Sequence, residues 1–301
     1  MIQNMDVEVK QARLDVIDGL VYSRTKAVLE NRDMELSMLI VKDSPQGAKG
    51  VWKLEKKPCI LWIMGGAWAR CPREKALPFL IWFARRGYVV ASARIRCSHE
   101  ALWPAQIIDV QTAIRYLRAH ADEHGIDEKH IAIMGQSSGG HLTSITAMNP
   151  KKYPAEEWTE YSSDVQCAVD MFGPTDLLKI VEQRAENGLP HVVPAPPEGK
   201  PALAPEEFLL GGKLEEHMEE AKDASPLSHI SEAACPLLLF HGNKDSSVPH
   251  QQSVQLHDAL NASGHPTDLY ILNGAVHGDY RFYQEKIQEI ILDFLDKHMK
   301  R

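Results

Sequence analysis

Residues 131–141 constrain this chain more than any other stretch. Ile131 to Met134 form an apolar run of strand length that breaks at Gly135, Gln136, Ser137, Ser138 and Gly139, after which the chain reads as helix. A strand that turns sharply into a helix strains its apical residue and lifts that side chain above the sheet edge. The positions two before and two after must be small so that strand and helix can approach, and Gly135 and Gly139 satisfy this. The following helix aims its N-terminal amides at the same point, which favours negative charge there. Ser137 is therefore a candidate nucleophile. Ser138 is the weaker candidate, because Gln136 stands where its own close-approach glycine would be needed.

The rest of the chain alternates between strand and helix patterns. Residues 58–64 are apolar on both faces and predict a central strand, which ends in Gly65, Gly66, Ala67 and Trp68. A helix over 74–86 closed by Gly87, a strand over 88–93, and a helix after Pro104 with Ile107, Val110, Ile114 and Leu117 on one face follow. Further strands are expected at 165–172, 236–242 and 267–272, and helices at 249–260 and around Ile287, Ile291 and Phe294. Near the N-terminus, strands are expected at 20–23 and 34–41, and the alternation of the second predicts a half-exposed antiparallel edge. Together these give an α/β fold, a mostly parallel central sheet with helices on both faces. No internal repeat is present, and 1–301 reads as a single domain.

One interruption stands out. Residues 174–234 hold Pro190, Pro194, Pro196, Pro197, Pro201 and Pro205, which argue against a regular element there. A loop of that length predicts a cap or lid-like insertion, the alternative being a disordered surface segment.

In such a sheet, functional residues gather at the carboxyl ends of the strands. A serine nucleophile needs a base to take its proton and a carboxylate to hold that base in the right tautomer. Asp245 follows the strand at 236–242, and His277 follows the strand at 267–272, flanked by small residues. The order Ser137, Asp245, His277 suits this architecture. Asp176 is a competing acid that reads as a helix cap, while His141 and His241 also fall near the expected site. A developing oxyanion requires amide donors, which Gly66, Ala67 and Ser138 can supply. Trp68, Trp103 and Phe172 are candidate pocket residues, with Phe208, Leu209 and Leu210 of the insertion forming a further wall.

Composition excludes several other classes. A formal charge of −8 without a basic stripe argues against a nucleic-acid partner. Cys59, Cys71, Cys97, Cys167 and Cys235 are scattered and odd in number, so they predict reduced thiols rather than a disulfide framework or zinc site. No metal or cofactor is implied. The opening residues lack a basic segment followed by an apolar core, and no apolar run reaches membrane-spanning length. A cytoplasmic location is expected, although a processed exported form would look the same.

The chain resembles α/β-hydrolase-fold serine carboxylesterases of the hormone-sensitive-lipase-like and bacterial feruloyl or acetyl esterase-like kinds. The resemblance rests on residues 65–68, 103–106, 135–141 and 173–177, with Asp245 ahead of Val248 and Pro249, and His277 ahead of Gly278. It runs from about residue 15 to the C-terminus. It implies serine-dependent hydrolysis of short-chain carboxylic esters through an acyl-enzyme, with acetyl or feruloyl esters of carbohydrates among the substrates. The partner implied is a small-molecule ester, with neither nucleic acid nor membrane. An amidase of the arylformamidase kind or an oligopeptidase would use the same triad, and a non-catalytic binding protein on this scaffold is a further alternative. Two departures stand out. Met64 replaces the family's usual His, thought to help fix the oxyanion loop, and residues 93–98 replace the usual Tyr-Arg-Leu-Ser, which brings Cys97, His99 and Glu100 toward the pocket or the surface.

Overall fold

A computed structural model describes residues 3, 5, 13–26, 31–42, 55–154, 156–188 and 203–300. Its strands are β1 (Arg13–Lys26), β2 (Asn31–Lys42), β3 (Lys57–Ile63), β4 (Val89–Ala93), β5 (Ile126–Gln136), β6 (Ala168–Met171), β7 (Leu237–Gly242) and β8 (Asp268–Leu272). Its helices are α1 (Leu77–Ala84), α2 (Ala105–Ala119), α3 (Ala121–His124), α4 (Ser138–Met148), α5 (Ile180–Asn187), α6 (Pro205–Leu210), α7 (Met218–Asp223), α8 (Gln251–Ala262) and α9 (Glu285–Met299).

The strands form one sheet in the order β1-β2-β4-β3-β5-β6-β7-β8. β1 and β2 pair antiparallel, β2 pairs antiparallel with β4, and every other pair is parallel. The period of two explains the two-sided core. In β3, Cys59, Leu61 and Ile63 face the side covered by α2, α4 and α8, while Ile60 and Trp62 face the side covered by α1 and α9. β5 and β7 divide their apolar residues in the same way, Ile131 and Ile133 against Ala132 and Met134, and Leu237 and Leu239 against Leu238 and Phe240.

Two expectations need correction. β2 is internal, not an edge: Met34, Leu36, Met38 and Ile40 are buried in the core, and β1 covers the outer flank. Its alternation arises because the polar positions find partners, with Ser37 accepting from Arg73 Nε at 2.9 Å and Glu35 pairing with Arg73 at 2.9 Å. The insertion also holds regular elements, namely α5, α6 and α7. Pro205 lies at the first position of α6, where its missing N–H costs nothing, while the other five prolines lie outside the described residues. A small apolar cluster of Leu177, Leu209, Leu210, Ala221 and Ala224 packs this segment onto Trp68. Among the described residues, no helix is long and apolar enough to cross a membrane.

Candidate active site

Ser137 stands between the end of β5 and the start of α4 with φ 52° and ψ −124°. Such backbone disfavours a side chain by roughly 1–3 kcal/mol and survives only where its surroundings dictate it. Here they do. A Cβ on Gly135 would come within 2.4 Å of the Gly139 carbonyl oxygen, and one on Gly139 within 2.1 Å of the Ile63 carbonyl oxygen. The Ser137 amide donates to Met171 O at 2.8 Å, and Ser137 O accepts from the His141 amide at 2.9 Å.

The three sequence-predicted triad residues meet at this edge of the sheet. Ser137 Oγ lies 2.9 Å from His277 Nε2, and His277 Nδ1 lies 2.7 Å from Asp245 Oδ2. With the carboxylate accepting from Nδ1–H, the Nε2 lone pair faces the serine hydroxyl. The other oxygen, Oδ1, accepts from the Ser247 and Val248 amides at 2.9 and 2.8 Å. Burial disfavours the charge on Asp245, but hydrogen bonds from His241 and His277 overrule it and hold the carboxyl well below the usual carboxylate range. His241 therefore supports the acid and does not face the serine. Its ring nitrogens contact Ser253 Oγ at 2.6 Å and Val248 O at 2.8 Å. Asp176 caps a turn, accepting from the Leu178 and Lys179 amides at 3.0 and 3.2 Å.

The loop after β3 completes the site. Ala67 and Trp68 both have positive φ, 55° and 54°, and the Gly66 amide donates to Ser138 Oγ at 3.0 Å. Trp68 is anchored at both ends, its carbonyl accepting from the Ser98 amide at 2.8 Å and its indole N–H donating to His141 Nδ1 at 3.2 Å. These contacts hold the loop without the histidine that Met64 replaces. Met64→Ala should accordingly cost about tenfold or less in kcat/KM, through packing alone. Gly66→Ala should cost more, for a reason the sequence did not reveal: its Cβ would fall 2.2 Å from the Arg70 carbonyl oxygen and force the loop open. Kinetics of the two variants side by side check this, and the reverse ranking would relocate the oxyanion site.

His141 is a tie in the structure, not a base. Its Nδ1 accepts from Trp68 and its Nε2 contacts Ala224 O, so it joins α4, the loop after β3 and the insertion. Burial pushes its imidazole down to about 4. The unfolded chain takes up a proton near an ordinary value of about 6.5, so this group's contribution to stability is present above about 6.5 and is lost as pH falls toward 4. Asp170, pushed up to about 6 by burial, acts in the opposite sense over the same window. A difference measurement isolates the histidine: the stability advantage of the wild type over His141→Gln should shrink by about 3 kcal/mol between about pH 7 and about pH 4. Urea denaturation of both proteins reads this, and a gap independent of pH would contradict it.

A cavity of about 330 Å³ opens in front of Ser137. Trp68 and Phe172 line it, and the Phe172 ring, at φ 48°, packs 5.0 Å from the His277 ring. Trp103 does not line it. Its indole N–H donates to Asp223 Oδ2 at 2.7 Å, and its ring packs against Tyr153 at 5.6 Å. Leu209 and Leu210 are buried behind Trp68, and Phe208 is exposed. Cys97 and Glu100 are likewise buried away from the cavity, with Glu100 Oε2 accepting from the Cys97 amide at 2.8 Å. Beyond Pro174 at its start, the insertion reaches the cavity through Ile180, Arg184, Pro205 and Glu206, which sequence reasoning missed. Arg184 forms a buried pair with Glu206 and donates from Nε to Ser247 O at 2.8 Å. The i,i+4 spacing of Ile180 and Arg184, which sets them on one face of α5, was the available signal.

A strained serine after β5, an acid after β7 and a histidine after β8, on this sheet order, define the α/β-hydrolase fold. The chain belongs to the BD-FAE family, whose profile matches residues 52–260. The probable carboxylic ester hydrolase LipM of Mycobacterium tuberculosis is 33% identical over 207 residues, covering 67% of this chain and 44% of LipM. Esterase LipC of the same organism is 28% identical over 261 residues, covering 84% of this chain and 62% of LipC. The chain thus spans less than two thirds of either relative. Among solved structures, a truncated form of a carbohydrate esterase from gut microbiota superposes with a TM-score of 0.77 at 25% identity, covering 98% of this chain and 99% of that one. A thermophilic esterase from the Planctomycetes species Thermogutta terrifontis superposes with a TM-score of 0.70 at 26% identity, covering 96% and 93%. That esterase is also known with butyrate bound and phosphonylated by sarin.

Proposed function

We propose that this chain is a serine carboxylesterase for short acyl groups. The observation that carries the reading is the unbroken relay from Ser137 Oγ to His277 Nε2 at 2.9 Å and from His277 Nδ1 to Asp245 Oδ2 at 2.7 Å, beneath a positive-φ serine. In this reaction Ser137 Oγ attacks the ester carbonyl as His277 takes its proton. Asp245 keeps the imidazole oriented and stabilises its charged form. The amides of Ala67 and Ser138 hold the oxyanion, and that of Gly66 joins them when the Ser138 hydroxyl releases it. His277 returns the proton to the departing alcohol, then activates the water that hydrolyses the acyl-enzyme. Reaction of the Thermogutta esterase with sarin is in keeping with a nucleophilic serine on this fold. The same relay would serve an amidase, so matched ester and anilide substrates decide between the two.

The cavity supports the acyl preference. Its volume of about 330 Å³ lies at the small end for ligand sites, and Ile180, Pro205 and the Arg184–Glu206 pair border it. In this reading residues 174–234 act as a cap, and the substrates include acetylated or feruloylated carbohydrates, in line with the carbohydrate esterase likeness. The five free cysteines fit a reducing, cytoplasmic setting. With 4-nitrophenyl esters, kcat/KM should peak between acetyl and butyryl and fall by about tenfold or more at octanoyl, because a chain too long for the cavity must displace its walls at a cost of about 1–3 kcal/mol. A peak on long-chain triglycerides, rising at an oil interface, would overturn the size argument.

A further inference from the structure

The cavity is charged against the grain of the molecule. The chain carries a formal charge of −8, yet the fixed charges lining the cavity are Arg70, Lys75 and Arg184 against Glu206. Arg184 is neutralised by Glu206. Arg70 and Lys75 are not: both are exposed, and neither has an ion-pair or side-chain hydrogen-bond partner among the described residues. Arg70 follows directly on the loop that carries Gly66, where its amide donates to Gly66 O at 3.1 Å. These two cations therefore line the reaction site without an ion-pair partner among the described residues.

Lys75 also marks a seam. It lines a second hollow of about 710 Å³ that shares Met64, Gln136 and Gly278 with the first. This outer groove presents Phe79, Tyr280 and Tyr283, with Tyr280 85% exposed. Gln136 and Gln288 border it but are largely buried, with Gln136 Oε1 accepting from the Tyr283 hydroxyl. Phe79 and Tyr283 meet edge to face, so the exposed Tyr280 ring is the aromatic surface on which part of an alcohol can lie. Arg70 lines only the cavity at Ser137, whereas Lys75 lines both hollows, so the two cations border the route by which an alcohol portion would extend from the serine toward the groove.

We propose that Lys75 and Arg70 form an anion subsite for the alcohol portion, so that the preferred substrate is an acyl ester whose alcohol carries a negative group beside the scissile bond. The inference rests on the esterase reading and adds the substrate class to it. The subsite acts on binding: two exposed cations attract an anion through solvent, so the gain appears in KM more than in kcat and weakens with salt.

A matched pair of small esters tests this on the intact protein. 3-Acetoxybenzoate and 3-acetoxybenzamide differ in charge but hardly in shape, and each rate is divided by its uncatalysed hydroxide rate. The wild type should favour the anion by about tenfold in kcat/KM at low salt, and about 0.5 M sodium chloride should remove most of that preference. Lys75→Glu combined with Arg70→Glu should invert the ratio, and Lys75→Gln alone should roughly halve its logarithm. The salt titration needs no variant, so a folding defect leaves the test intact. If both esters are hydrolysed with a ratio near one that ignores salt and charge reversal, the subsite is wrong and the esterase reading stands. If neither is hydrolysed, both fall.

Discussion

Ser137→Ala should lower kcat/KM for a short ester by about four orders of magnitude or more while the protein stays folded, because removing the nucleophile disables the whole relay. The fold should tolerate the change, since the one side-chain hydrogen bond lost is that to His277 Nε2, and the backbone bonds to Met171 and His141 remain. The neighbouring serine supplies the contrast. Ser138→Ala deletes the acceptor of the Gly66 amide and frees that donor for substrate, so its effect should stay within about tenfold, a small fraction of a lost donor's usual worth. Initial rates on 4-nitrophenyl acetate, with thermal melts of both variants, separate the two serines. A folded Ser137→Ala protein within tenfold of wild type would remove the nucleophile from this account.

The second large effect is expected at Asp245→Asn, about four orders of magnitude in kcat/KM, as in other triads whose acid is replaced by its amide. The local geometry explains why the loss should be so severe. One carboxylate oxygen is required as acceptor by the Ser247 and Val248 amides. An Asn must keep its carbonyl there and turn its NH2 toward His277 Nδ1. The imidazole then carries its proton on Nε2, facing Ser137, and can no longer act as a base. Raising the pH cannot repair a wrong tautomer, so the deficit should persist to about pH 9, well above an ordinary imidazole value. A pH–rate profile of the variant checks this, and recovery of activity at high pH would contradict it.

Much of the site was legible because its signals are local. The Gly135 to Gly139 turn, the glycines after β3, and Asp245 and His277 just past strands all lie within a few residues of the strand ends that position them. What escaped depends on distant partners. The alternation in β2 matches a half-exposed edge, and only its pairing with both β1 and β4 shows it to be internal. Trp103 read as pocket because an aromatic there is ambiguous until Asp223, 120 positions away, is seen to take its N–H. Leu209 and Leu210 were correctly apolar and wrongly placed, since burial behind Trp68 and exposure to a ligand demand the same residue types. The Arg184–Glu206 pair likewise joins two elements of the insertion that no short motif links.

The central claim is that Ser137 is the reactive group of an esterase relay, and covalent labelling reads it most directly. The protein is treated with a fluorophosphonate, digested, and the modified peptide sequenced by mass spectrometry. The account predicts stoichiometric addition at Ser137, lost in Ser137→Ala, retained in Ser138→Ala, and accompanied by loss of ester hydrolysis in step with labelling. Addition at Ser138 or at any other residue, or full activity after Ser137 is blocked, would contradict it.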